Sequence, residues 1–257
     1  MPAQLCLHIA GGCLLQASAP QESLFYQHIQ EQLMAQYNVQ SEVQLYSYSR
    51  FAALPNIVAS IAITATQKHL LIIQIRPSLL FQACSMFSNI QDGSSTYSNR
   101  CDSSHTGIQA LWNQWLGTAN CIAGTIAGQH NSAITRINTH ITHCVHWCLQ
   151  HNVLPVILGP VHSYLTSVHR LYVNSINSTL HKAVDSTGGI YIDAYDLLQT
   201  KAHKQNDFFT ASGLQLTAAG HRELANHLLS VAGTAIARHS KQSSTSFNHS
   251  LANTHNS

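Results

Sequence analysis

A chain of 257 residues, 45% of them hydrophobic, is long enough to bury a sizeable core and is read as one domain over 1–238 with a Ser/Asn/His-rich, disordered tail over 239–257. Only 9% of its residues are charged, against about 25% in ordinary soluble proteins. The net charge is +2 with no Lys/Arg run, which leaves no electrostatic footprint for nucleic acid or an anionic membrane. Solubility then rests on Gln, Asn, Ser, Thr and 18 His, and protonating those histidines carries the net charge from +2 toward about +20, so acid is expected to expand or unfold the protein.

The first residues carry no basic segment and no long apolar run, so neither a signal peptide nor an anchor is expected there, and no apolar stretch is long enough to span a bilayer. The seven cysteines (Cys6, Cys13, Cys84, Cys101, Cys121, Cys144 and Cys148) are odd in number and scattered, which fits a reducing, cytoplasmic setting better than a disulfide scaffold.

Leu5–Ala10 is a short apolar run that stops at Gly11-Gly12, the pattern of a buried strand feeding a tight loop. Leu24, Phe25, Ile29, Leu33, Met34 and Tyr37 recur at helical spacing after Pro20, a residue suited to a helix entrance. Over Ser41–Tyr48, Val43 and Leu45 alternate with Glu42 and Gln44, which predicts a strand. Asn56–His69 has Ile57, Ile61 and Ala65 at helical intervals and leads into Leu70–Ile75, a nearly continuous apolar run expected of a strand covered on both faces in a parallel sheet. Residues 77–106 are Ser/Asn/Cys-rich without period and read as a long loop. Ile108–Asn152 is helix-like with a break near Gly124–Gly128, and Val153–Gly159 is a fourth strand. Ser163–Thr187 reads as a helix stopped by Gly188-Gly189, Ile190–Asp193 as a fifth strand and Thr217–Arg238 as a last helix. This alternation predicts an α/β three-layer sandwich with a mostly parallel five-stranded sheet and right-handed crossovers. Sites in such sheets lie beyond the carboxyl ends of the strands, here Gly11–Leu14, Arg76–Leu79, Gly159–His162 and the loop before the last helix.

The segment Asp207-Phe208-Phe209-Thr210-Ala211-Ser212-Gly213-Leu214-Gln215-Leu216-Thr217-Ala218-Ala219-Gly220-His221 resembles the C-terminal block of the SGNH (GDSL-type) hydrolases, in which Asp-Gly-x-His-Leu-Thr precedes the last helix. Ile9-Ala10-Gly11-Gly12-Cys13-Leu14 stands where that family has Gly-Asp-Ser-Leu, and the order of strands and helices between also fits, so the resemblance spans most of residues 5–235. The family's middle blocks are poorly matched: its second-block Gly is not recognisable around Ser49-Arg50-Phe51, and its Gly-x-Asn-Asp falls on Arg76-Pro77-Ser78. The resemblance implies an esterase-like hydrolase in which a Ser attacks an ester carbonyl, a His takes its proton, an Asp three residues earlier orients that His, and backbone and Asn donors hold the oxyanion. The corresponding positions here are Cys13, Gln215 and Ser212. Glutamine does not titrate near neutral pH, and a serine hydroxyl cannot orient an imidazolium as a carboxylate does, so the ordinary triad is absent.

Cys13 either fills space at a strand end or, at a glycine turn whose backbone N–H groups lower its pKa, serves as a thiolate nucleophile without an obvious base. His221 is a structural or surface histidine or a substitute base, and Asp102-Ser103-Ser104-His105 repeats the Asp-x-x-His spacing by coincidence in the aperiodic loop. His140, Cys144, Cys148 and His151 share one helix stripe, but a straight helix aims only two neighbours at one ion, so no metal or cofactor is expected. Arg76, with Gly11 and Gly12, is the candidate ligand-binding group: a salt bridge or cap in one reading, an anion clamp for a small-molecule or acyl ligand in the other. The expected function is an SGNH-like ligand-binding or structural domain without ordinary esterase activity. The alternative is an acyl hydrolase or acyltransferase that uses Cys13 with a recruited base.

Overall fold

The computed structural model describes residues 3–12, 15, 23–64, 67–76, 79–80, 129–161, 167–201, 207–210 and 216–241. Five strands, β1 (Ala3–Gly11), β2 (Val39–Ser47), β3 (Lys68–Gln74), β4 (Val153–Leu158) and β5 (Ile190–Ile192), form one sheet in the order β2-β1-β3-β4-β5. Every pairing is parallel, beyond the mostly parallel expectation. Among the described residues six helices accompany them: α1 (Phe25–Tyr37), α2 (Leu54–Ala59), α3 (Gln129–Gln150), α4 (Ser167–Thr187), α5 (Ala194–Lys201) and α6 (Ala218–Lys241).

The alternation of side chains along each strand sorts the core into two layers. Leu5, Leu7 and Ile9 of β1 and Leu70 and Ile72 of β3 pack with Phe25, Ile29 and Leu33 of α1 and with Leu224, Leu228 and Ile236 of α6. Their neighbours Ala10, Leu71 and Ile73 face the other way, onto Leu54 and Val58 of α2, Ile137, Ile141 and Val145 of α3, and Ile176 and Leu180 of α4. The three-layer α/β sandwich expected from the sequence is therefore present, and the continuous apolar run of β3 is explained by burial on both faces.

Helix ends follow local chemistry. Asn38 and Asn152 take left-handed conformations where α1 and α3 end, and Gly188, at φ +89°, does so after α4. The Gln27 side chain accepts the Leu24 N–H at 2.7 Å to start α1, and Pro20 lies outside the described residues.

Three expectations need correction. The helix expected over Asn56–His69 is confined to Leu54–Ala59, preceded by a 3-10 turn at Phe51–Ala53. Its continuation is rich in β-branched residues (Ile61, Ile63, Thr64), and Ser60 bonds back to the Ile57 carbonyl at 2.7 Å, so nothing local favours another helical turn. Helix α5 was not anticipated; Asp193 Oδ1 accepts the Asp196 N–H at 3.0 Å and caps its start. Helix α6 runs three residues past the expected Arg238, and His239 within that extension reaches the His69 carbonyl at 3.2 Å. Of the loop expected over 77–106 only Leu79 and Leu80 are described, and they are helical and buried, with their N–H groups on the Arg76 carbonyl; the rest of it, the helix-like stretch over 108–128 and the tail over 242–257 fall outside the described residues. Among the described residues no helix is long and apolar enough to cross a membrane.

Because β3 is the strand on which both layers rest, Ile72→Ala, at a position with no solvent exposure, is expected to cost about 2–5 kcal/mol. Leu45→Ala on the edge strand β2, where the side chain is 45% exposed, should cost less than about 0.5 kcal/mol. Urea unfolding of both variants checks the contrast; equal midpoints would contradict this account of the core.

Candidate functional site

In the strand order β2-β1-β3-β4-β5 the chain leaves β1 toward one edge and returns to build on the other side, so the topological switch lies between β1 and β3. The carboxyl ends of those two strands, Gly11 and Gln74, therefore flank the crevice where such folds place ligands. Gln74 is fully buried, and its Oε1 accepts the Gly12 N–H at 3.1 Å, which ties the turn after β1 to the end of β3. Leu15 N–H then returns to the Gly12 carbonyl at 3.0 Å. The turn packs closely on these side chains: a Cβ on Gly11 would stand 2.8 Å from Gln74 Oε1, and one on Gly12 2.5 Å from Arg76 Nε, so either would displace the group it meets.

Arg76, two residues beyond β3, lies against that turn. Its Nη1 donates to the Tyr48 carbonyl, and its guanidinium carbon is 5.8 Å from the centre of the Tyr48 ring. Tyr48 is itself buried and donates its hydroxyl to the Gln74 carbonyl. Arg76 is half-buried, and no carboxylate among the described residues pairs with it. The candidate ligand-binding residues Gly11, Gly12 and Arg76 are thus brought together. Gln74 and Tyr48, which hold them there, were not singled out from sequence, although Gln74 signals itself as the one polar residue in Leu70–Ile75.

The triad positions Cys13, Ser212 and Gln215 lie outside the described residues, as do Asp102 and His105. What brackets the last two triad positions is described. Phe209 and Leu216 form an antiparallel bridge, Thr217 N–H donates to the Phe208 carbonyl at 3.0 Å, and the Thr217 hydroxyl donates to the Asp207 carbonyl at 3.0 Å. Gly220 N–H donates to that same hydroxyl at 3.2 Å, so Thr217 caps α6. Gly220 permits the closure, since a Cβ there would stand 2.3 Å from the Phe208 carbonyl oxygen. His221 follows on the first turn of α6 and is fully buried, so it is not a surface histidine.

The stripe on α3 is divided. Cys144 and Cys148 point into the core, whereas His151 is exposed, stacked on Trp147 at 4.2 Å and bonded to the Trp147 carbonyl at 2.8 Å. At the far end of the sheet Asn177 donates to both carboxylate oxygens of Asp193 at 3.1 Å and accepts the Tyr191 hydroxyl at 2.8 Å, a brace between α4 and the end of β5.

No protein-family model and no curated protein matches the sequence. Solved structures do match in three dimensions. A lipase from a goat rumen metagenome superposes with a TM-score of 0.61 at 9% identity, over 89% of this chain and 96% of that one. An acetylxylan esterase from Geobacillus stearothermophilus gives a TM-score of 0.55 at 12% identity, over 90% and 95% of the two chains, and is also solved as catalytic mutants in which a serine or a histidine is replaced by alanine. A protein assigned as a GDSL-like lipase from Parabacteroides merdae gives 0.55 at 9% identity, over 90% and 96%. The fold is that of the SGNH hydrolases. Identities of 9–12% carry the architecture alone, so the SGNH fold is established while the chemistry must come from this chain's own residues.

Burial pushes the Cys144 thiol up to about 12 and the Cys148 thiol higher still, with Cys144 adding to the effect on Cys148. A raised pKa keeps both as unreactive neutral thiols through pH 9. Alkylation of the folded chain, followed by peptide mass spectrometry, should leave both unlabelled from pH 7 to 9 and label both rapidly in urea. Rapid labelling in the folded state would show that α3 does not hold them in the core.

Proposed function

We propose that this SGNH-fold protein binds a small carboxylate or acyl ligand at the carboxyl end of β1 and β3, and that it lacks ordinary esterase activity because Cys13, Ser212 and Gln215 stand at the triad positions. The observation that carries the reading is Arg76: a half-buried guanidinium at the topological switch, oriented by the Tyr48 carbonyl and ring, with no carboxylate partner among the described residues. A fork of five donors with one committed to a carbonyl retains donors for a bidentate anion. The turn at Gly11-Gly12 brings backbone within reach of the same place. A reducing, cytoplasmic setting belongs to this reading and is supported by the free thiols of Cys6, Cys144 and Cys148.

A second reading is favoured by the lipase and esterase structures that share the fold: an acyl hydrolase or acyltransferase with Cys13 as nucleophile. A base, for which His221 is six residues past Gln215, would take the Cys13 proton; the thiolate would add to the ester carbonyl, the alkoxide would leave with that proton as the alcohol, and the thioester would pass to water or a second acceptor.

Titration of the full chain with acetate, butyrate and octanoate, beside p-nitrophenyl acetate turnover, separates the two. Binding of a carboxylate that weakens at least about tenfold in Arg76→Gln, a loss of about 1.4 kcal/mol, together with no turnover dependent on Cys13, is the expected result. Turnover abolished by Cys13→Ala, with alkylation of Cys13 well below a thiol pKa of about 8.5, would replace it with the enzymatic reading. Binding that is indifferent to Arg76→Gln would remove the anion clamp.

A further inference from the structure

A second polar inclusion lies in the middle of the sheet, on the face covered by α2, α3 and α4. Cys6 and His8 are two residues apart on β1 and so point to the same side, and His69 on β3 is the register partner of Cys6. All three are almost wholly buried, at 2%, 0% and 2% exposure. One donor atom from each lies within 4.8 Å of the others, and His8 Nε2 is 3.0 Å from His69 Nδ1. Among the described residues this is the one such group of three metal-ligating side chains.

We propose that Cys6, His8 and His69 form a three-ligand zinc site that links β1 to β3. The donor set, two imidazole nitrogens and one sulfur, is that of a borderline-soft divalent ion, with water filling the fourth position. A tetrahedral zinc with bonds of about 2.0–2.3 Å sets its ligand atoms about 3.3–3.6 Å apart, so donor atoms now within 4.8 Å of one another would move by about an ångström to share an ion.

The surroundings are those of a ligated pair of histidines. The other ring nitrogen of His8 lies 3.2 Å from the Tyr46 hydroxyl, which donates to Gln44 Oε1 at 2.8 Å, so that Nδ1–H would be held and Nε2 presented to the ion. The other nitrogen of His69 faces the Thr64 carbonyl at 3.4 Å. Burial depresses both histidines, His8 to about 4, which keeps them neutral and competent to ligate near pH 7. Burial and Glu42 hold the Cys6 thiol up, so without an ion it stays protonated. Zinc would displace that proton to solvent, form one Zn–S and two Zn–N bonds and shed all but one of its waters. Ion and thiolate leave one positive charge; Glu42, the β2 register partner of Cys6, offsets it, while Lys68 beside His69 opposes it.

The competing arrangement is a metal-free relay in which Thr64 N–H donates to His69 Nε2 at 3.2 Å, His69 Nδ1–H to His8 Nε2, and His8 Nδ1–H to Tyr46. Zinc requires the other His69 tautomer, with Nε2–H turned to the Thr64 carbonyl.

Because the site is enclosed, the full chain should be unfolded, refolded with zinc chloride or cobalt(II) chloride, and freed of loose metal by gel filtration. One zinc per chain is expected, and the cobalt form should show a thiolate-to-cobalt charge-transfer band with strong tetrahedral visible absorption. Cys6→Ala should abolish that band and weaken zinc binding more than about 100-fold, Tyr46→Phe should weaken it about 10- to 100-fold, and His151→Gln should change neither. The wild-type band needs no variant to fold. A chain that stays metal-free after refolding with zinc, or binds zinc without a thiolate band and equally well in Cys6→Ala, overturns the site and leaves the histidine relay. Neither result bears on Arg76, since the two sites share no residue.

Discussion

The constraint on which the molecule depends is that its central strands have no water on either face. Parallel strands are joined by helical crossovers that cover both sides of the sheet, so β1, β3 and β4 are sealed between α1 and α6 on one side and α2, α3 and α4 on the other. Inside that seal an apolar side chain contributes by leaving water, and a polar one costs free energy unless another protein group satisfies it. With charged residues at 9% of the chain, internal polar groups are met almost entirely by amides, imidazoles, hydroxyls and main chain.

Each polar side chain admitted to the sheet therefore marks a place where two strands are held together by something more specific than packing. Gln74 is the clearest: it spends its carbonyl on the Gly12 N–H, and its own backbone carbonyl accepts the Tyr48 hydroxyl. Through those two bonds the end of β3 fixes both the turn after β1 and the tyrosine that aims Arg76. The Cys6, His8 and His69 group does for the body of the β1–β3 pair what Gln74 does for its end. Both inclusions lie on the same two strands, the pair that flanks the switch point, so the most closely specified part of the sheet is also the part from which a site would project.

How much of this was legible in the sequence follows from which signals are local. Apolar runs such as Leu70–Ile75 and Val153–Leu158, and stops such as Gly188, identify strands and helix ends because burial and left-handed φ act residue by residue. Helix α2 was overextended because Ile57, Ile61 and Ala65 kept a helical spacing that β-branched neighbours and Ser60 did not sustain. Helix α5 was overlooked because its start is set by one Asp193 oxygen rather than by a long apolar period. The candidate residues Gly11, Gly12 and Arg76 were found from strand ends alone, but the groups that position them, Tyr48 and Gln74, are separated from Gly12 by 36 and 62 residues of chain and meet it only through the sheet. Likewise His8 and His69 lie 61 residues apart, and no spacing along one strand announces that Cys6 and His69 will be register partners.

The same distinction applies where the chain approaches Cys13, Ser212 and Gln215. The described residues on either side of them are held by bonds of their own: Gly12 to Gln74 after β1, and Thr217 to Asp207 and Gly220 before α6. These bonds and the two apolar layers hold the fold without calling on Cys13, Ser212 or Gln215, so fold and chemistry are separable properties of the chain. At Gly12 and Gly220 a Cβ would meet Arg76 or the Phe208 carbonyl directly. What the described residues build at the switch point is a crevice bounded by Gly11, Gly12 and Gln74, with the Arg76 guanidinium held at its edge by Tyr48.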